Sequence, residues 1–135
     1  MVQHRGTEGT ENTENNLTRR VIGAAIEVHR TLGPGLLESV YQECLTHELS
    51  SRGLSFRREV PLTLQYKGHT LRTILRADLL IESRVIVETK ALESLAPVHS
   101  AQLLSYLRLS NIRIGLLINF NVETLVHGIR RVVNG

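Results

Sequence analysis

The sequence predicts a single α/β domain, a mixed β-sheet covered by helices. Three observations predict it. Residues 17–52 carry apolar side chains at three- and four-residue spacing, interrupted at Gly33-Pro34-Gly35. Residues 62–91 change to period two, with breaks at Lys67-Gly68 and at Glu82-Ser83-Arg84. Residues 97–120 join a proline-started helix to a nearly continuous apolar run, as expected of a crossover into a strand buried on both faces.

Length and composition agree with that class. The chain has 135 residues, 41% hydrophobic, with a mean hydropathy of −0.05. That suits one soluble core. No apolar run approaches the roughly 20 residues of a membrane span. Residues 1–16, MVQHRGTEGTENTENN, lack an apolar signal core and read as a disordered polar tail, which leaves 17–135 as the folded domain. The lone Cys44 excludes an internal disulfide and a multi-cysteine zinc site, and it favours a reducing cytoplasm. Net charge is +3, and 14 of the 16 basic residues are arginine, the side chain shaped for bidentate phosphate contacts. Such a charge suits a nucleic-acid partner, yet it is common among proteins that never meet one.

Taken in order, Val21, Ile22, Ala25, Ile26, His29 and Leu32 form the stripe of a first helix, stopped by Gly33-Pro34-Gly35. A second helix, over 36–52, has its apolar face on Leu37, Val40, Tyr41, Cys44, Leu45 and Leu49, with Gly53 as cap. Leu62, Leu64 and Tyr66 alternate with polar residues in a first strand, and Lys67-Gly68 suits a two-residue turn because glycine accepts positive φ. The return strand places Leu71, Thr73, Leu75 and Ala77 on one face. Arg72, Ile74, Arg76, Asp78 and Leu80 take the other, which Ile86, Glu88 and Lys90 of a third strand should share. A helix over 97–110, a buried strand over 112–120 and a closing helix over 123–133 complete an α-α-β-β-β-α-β-α order.

The chemistry centres on residues 76–90, RADLLIESRVIVETK. With Ser83 at the middle of the turn, Asp78 faces Glu88 and Arg76 faces Lys90. Two opposed carboxylates repel unless something positive lies between them. A divalent cation and a nearby lysine would supply that, since hard cations take oxygen ligands and need few carboxylates. A surface hairpin with scattered charges is the alternative. Glu38 and Tyr41 share a helix face in the run from Gly35 to Tyr41, although the helix dipole alone favours a glutamate there and Tyr41 equally suits a core. Gln102 and Tyr106, with His99 before them, line one helix face. They could hold a phosphate or stack a base, or form an ordinary polar edge. His29, His47, His69 and His127 show no ligand spacing, and Glu59 is an acid without a clear partner. No Walker loop, Rossmann fingerprint or nucleophile elbow is present.

The Gly35…Glu38…Tyr41 spacing, with RADLL, VIVETKALE, PVHSAQLLSYL and GLLINFNV, resembles the GxxExxY proteins, a branch of the PD-(D/E)XK nuclease superfamily, over nearly all of the folded chain. The resemblance implies a three-layer α/β/α sandwich with a restriction-endonuclease-like core, hydrolysing nucleic acid, DNA before RNA, with Mg²⁺ or Mn²⁺. It implies that Asp78, Glu88, Glu38 and the Thr89 carbonyl hold the metal, and that Lys90 serves the water nucleophile. Gln102 and Tyr106 resemble the Q-x-x-x-Y motif of RecB-type nucleases, which contacts substrate. Arg72 and Arg76 are further candidate nucleic-acid contacts, and Gly35 and Tyr41 are motif residues. Thr89 stands where an apolar residue is usual. The competing reading is a catalytically silent module of the same fold that binds nucleic acid or a partner protein; a homodimer is compatible with either, and a nucleotide phosphohydrolase is a third possibility.

Overall fold

Apolar side chains occupy both faces of the two central strands, so the sheet needs cover on both sides. A computed structural model describes residues 2–135, apart from the side chains of residues 2–11, 73 and 74. Helices α1 (Val2–Leu32) and α2 (Glu38–Ser51) lie on one face and α3 (Pro97–Ser110) on the other. Between them run β1 (Phe56–Tyr66), β2 (His69–Ile81), β3 (Val85–Lys90), β4 (Ile114–Asn119) and β5 (Ile129–Val133). The strands stand in sequence order, β1-β2-β3-β4-β5. Only β3 and β4, joined through α3, are parallel. This is the predicted three-layer α/β/α sandwich.

Val85, Val87, Ile114, Leu116 and Ile118 meet α1 and α2, where Val21, Ala24, Ala25, Tyr41, Leu45 and Leu49 are buried. Ile86 and Leu117 meet Leu103, Tyr106 and Leu107 of α3. A Cβ at Gly115 would stand 2.9 Å from Leu103, so glycine there lets α3 sit close on β4.

Three expectations need correction. The chain end is not a helix. A 3₁₀ turn (Leu125–Gly128) leads into β5, which pairs with the outer edge of β4 from Ile118↔Ile129 to Ile114↔Val133. The β-branched Ile129, Val132 and Val133 suit that edge, and the ladder offers more backbone bonds than a short, weakly amphipathic helix.

The expected tail to residue 16 is helical from Val2 as the first half of α1, and its last part is docked. Glu14 is buried and pairs with Arg113 at 3.0 Å, and Asn15 accepts from Arg131 at 2.5 Å. Polar docking of this kind leaves no apolar period to read.

The alternation in β2 also breaks. Leu75 and Ala77 pack toward α3 and so does Leu80, whereas Leu79 and Ile81 pack toward α1 and α2. The opposite strand breaks at the same level, because Glu59 takes φ 49°. The pairing itself runs unbroken there, from Arg58↔Leu79 to Val60↔Ala77, and its register shifts only further out, between Pro61 and Thr63. Asp78, across from Glu59, sits at that break. Arg72 and Arg76 share a face, being paired with Thr63 and Pro61, but the break separates that face from Leu80.

The Gly-Pro-Gly corner is held from inside. Tyr41 is fully buried and stacks on Phe120, ring centroids 4.7 Å apart at 7°. Its hydroxyl donates to the Gly33 carbonyl at 2.6 Å and accepts from the Leu36 amide at 3.1 Å. Gly35, at φ 100°, donates its amide to the Asn121 Oδ1 at 3.1 Å. Asn119 brackets Leu92, accepting its amide at 2.9 Å and donating to its carbonyl at 3.0 Å. The start of α2 and the loops after β3 and β4 thus form one tied rim.

Tyr41→Phe keeps the stack and leaves a carbonyl and an amide without their partner. We expect a loss of about 1–3 kcal/mol, read as a lower urea midpoint at unchanged m-value. Phe120→Ala removes the stack itself and should cost about 3–5 kcal/mol.

Candidate metal centre

The antiparallel ladder between β2 and β3 runs Ile81↔Val85, Leu80↔Ile86, Leu79↔Val87 and then stops. This is the register predicted with Ser83 in the turn, where Glu82 and Ser83 adopt φ 53° and 55°. The next rung would be Asp78 and Glu88. Here side chains replace the ladder. The Asp78 amide donates to Glu88 Oε2 at 2.6 Å, and the Thr89 amide donates to Asp78 Oδ2 at 2.9 Å, joined by the Thr89 hydroxyl at 3.3 Å. Each acid satisfies a backbone donor beside the other, so the strands fork with two carboxylates between them.

The fork is electrostatically loaded. Glu88 is 4% exposed, and burial first, then the charge of Asp78, push its pKa up from 4.5 to about 8, against the pull of the Asp78 amide and Lys90. Glu38, first residue of α2, is half-buried. Its pKa is raised by burial and then by Asp78, with Lys90 opposing and Glu59 adding. Glu59, which lacked a partner in the sequence, therefore belongs to the edge of this acidic group. Lys90 is half-buried at the end of β3, beside Asn119 of β4. Four carboxylates face one lysine.

The candidate substrate residues divide. Tyr106 is buried in the α3 layer, and its hydroxyl accepts from Gln102 Nε2 at 3.1 Å. Burial, then Glu88 and Asp78, raise its pKa, so the Gln102–Tyr106 pair stands close enough to feel the acids. An open groove of about 600 Å³ beside Lys90 is lined by Val98, His99, Ala101, Gln102 and Ser105. His99 has a structural task, accepting the Ala96 amide at Nδ1 (2.9 Å) to cap α3. Arg72 and Arg76 are exposed on the part of β2 beyond the fork, away from the acids. Gly35 and Tyr41 act on the rim, as described above.

Sequence reasoning missed four supporting residues. Gln42 is buried on α2 and donates to the Thr89 hydroxyl at 3.3 Å, which makes Thr89 a bridge between α2 and Asp78. This explains a threonine where an apolar residue was expected. Phe120, Asn119 and Asn121 hold the rim; two asparagines closing a buried apolar strand were the available signal.

Whether these residues suit a divalent cation can be tested on the donor set. Among the described residues no hydrogen bond reaches Asp78 Oδ1 or Glu88 Oε1, so each carboxylate keeps one oxygen uncommitted. A counter-charge beside Glu88 would offset the burial, and then the charge of Asp78, that raise it. Yet among the described residues no three acidic, histidine or cysteine side chains already enclose an ion position. Glu38 is adjacent without closing a cage. Such a set fits Mg²⁺ or Mn²⁺, since Mg²⁺ keeps several waters and binds through one or two carboxylates, and does not fit a fully protein-liganded ion.

Among the described residues no helix is long and apolar enough to cross a membrane. No curated protein matches the chain. The model of the PD-(D/E)XK nuclease superfamily matches residues 15–132, which span every strand and the whole fork. The match covers most of the sequence, and the chain belongs to the PD-(D/E)XK nuclease superfamily.

Proposed function

We propose that the chain is a Mg²⁺- or Mn²⁺-dependent nuclease of the GxxExxY branch that hydrolyses phosphodiester bonds of DNA. The observation that carries this reading is the carboxylate pair at the fork, Asp78 and Glu88, each bonded to a backbone amide beside the other, with Lys90 next along β3. Superfamily membership makes nuclease chemistry the default for this fold.

Asp78 and Glu88 would hold the ion through their uncommitted oxygens, with the Thr89 carbonyl and Glu38 completing its surroundings through bound water. When bound, the ion supplies Lewis-acid charge at the phosphate and a water of lowered pKa. Lys90 orients the attacking water and offsets the negative charge that grows on phosphorus. Tyr106, fixed by Gln102, presents its hydroxyl to a non-bridging phosphate oxygen at the edge of the groove beside Lys90. A silent module of the same fold, binding nucleic acid or a partner protein, is the alternative; the unclosed position of Glu38 is what favours it.

Cleavage of single- and double-stranded DNA and RNA with Mg²⁺ or Mn²⁺ decides between them. The wild type should cut DNA, and Asp78→Ala or Lys90→Ala should lower the rate by about 10²–10⁴-fold. A wild type that cuts none of the four substrates, or mutants as fast as the wild type, would sink the nuclease reading.

Metal-free stability offers a second test. A carboxyl whose pKa is higher folded than unfolded keeps its proton preferentially in the folded state. Its contribution is full below pH 4.5 and is lost as pH rises through about 8. With EDTA, Tm should therefore fall across that window by an amount on the order of a few kcal/mol in stability. Mg²⁺ should restore more of it at pH 8 than at pH 5, roughly the two ends of the titration. In Glu88→Gln the EDTA profile should flatten.

A further inference from the structure

The β1–β2 hairpin is longer than the sheet it belongs to. β2 pairs with β3 only up to Leu79, whereas β1 and β2 stay paired out to Tyr66↔His69. Val60, Leu62 and Ala77 still pack on α3. Beyond them lie four rungs, Thr63↔Arg72, Leu64↔Leu71, Gln65↔Thr70 and Tyr66↔His69, with no further strand beside them. Lys67 and Gly68 close the ribbon at φ 48° and 81°, the paired positive values of a tight hairpin turn. A free two-stranded ribbon is marginal in water on its own. This one is bare: Tyr66 is 57% and Leu71 42% exposed.

Its charge has one sign. Residues 60–77 contain Lys67, Arg72 and Arg76 and no acid. Directly opposed residues share a face, as do residues two apart, so Thr63, Gln65, Thr70 and Arg72 form one polar face. Gln65 and Thr70 are both exposed and are joined across it at 2.8 and 3.0 Å. Arg76, opposite Pro61, stands beyond the register shift, between these rungs and the fork. The ribbon is thus the outer length of the same strand that carries Asp78.

Its shape selects a partner. Four residues per strand at about 3.3 Å each give a free ribbon about 13 Å long, enough to reach the floor of a groove about 8.5 Å deep. The major groove of B-form DNA is about 12 Å wide and 8.5 Å deep and admits a two-stranded ribbon. The major groove of A-form RNA is too narrow for side chains to enter, and a single strand has no groove. We propose that the free end of the β1–β2 ribbon enters the major groove of duplex DNA, with Gln65 and Thr70 toward base edges and Arg72 and Arg76 on the flanking phosphates, and so brings a backbone phosphate to the acid pair. This deepens the nuclease reading and rests on it for the role of the acids.

The test is fluorescence anisotropy of the full chain in EDTA. The probes are a DNA duplex of roughly 20 base pairs, about two turns, its RNA counterpart and the single DNA strand. The DNA duplex should bind at least about tenfold more tightly than either other probe. The double variant Arg72→Ala/Arg76→Ala, its fold checked by circular dichroism, should weaken duplex binding by about tenfold or more and lower the salt slope by about two. Equal affinity for RNA duplex or single strand, an unchanged variant, or no duplex binding overturns the proposal. Cleavage measured in parallel with Mn²⁺ separates the two readings. A variant that cuts with unchanged KM sinks the ribbon and leaves the nuclease standing; ribbon-dependent duplex binding without cleavage keeps the ribbon and sinks the nuclease.

Discussion

Much of this molecule turns on one exchange of hydrogen bonds. Where β2 and β3 should form their next rung, the Glu88 carboxylate takes the Asp78 amide and the Asp78 carboxylate takes the Thr89 amide. A ladder bond between backbones would have drawn the strands together and left the two carboxylates opposed without these partners. The exchange keeps the strands apart, satisfies two amides and leaves each acid one oxygen to spare. The break in alternation falls at the same level, where Glu59 on β1 takes φ 49°. One local substitution of bond partners thus sets the charge at the opening of the sheet.

Charge explains why the surroundings are built as they are. Burial first, and then the charge of Asp78, hold Glu88 at a pKa near 8. Removing solvent from a charge is expensive, so the pair is tolerated only where the rest of the fold is stable enough to hold it. That support comes from apolar layers on both faces and from the rim in which Tyr41, Phe120, Asn119 and Asn121 take part.

The fold and the hairpin register that opposes Asp78 to Glu88 were legible because both depend on short-range patterns. The hairpin register followed from a turn centred on Ser83, and the layers followed from period. What was not legible depends on residues far apart in sequence. The face switch at Asp78 needs Glu59, on another strand. Glu14 is ordered by Arg113, about a hundred positions away, through an ion pair that has no period. The last segment reads as a weak helix until the open edge of β4 is known to need a partner. Thr89 looked like an exception until Gln42 was found against it. Tyr41, singled out by its motif, is buried against Phe120 from a loop about eighty positions away.

The order of strands in the sheet repeats their order in the chain. Each new strand can therefore add beside the one just made, and only the β3–α3–β4 step requires a long closure. Asp78 and Glu88 meet within a single hairpin, among the most local contacts in the molecule. Phe120, Asn119 and Asn121, which brace the rim, are about thirty residues further on. As the chain leaves the ribosome, the repelling pair is assembled before its buttress exists. The early hairpin lacks the burial that raises Glu88, which is complete only once α3 and β4 cover it.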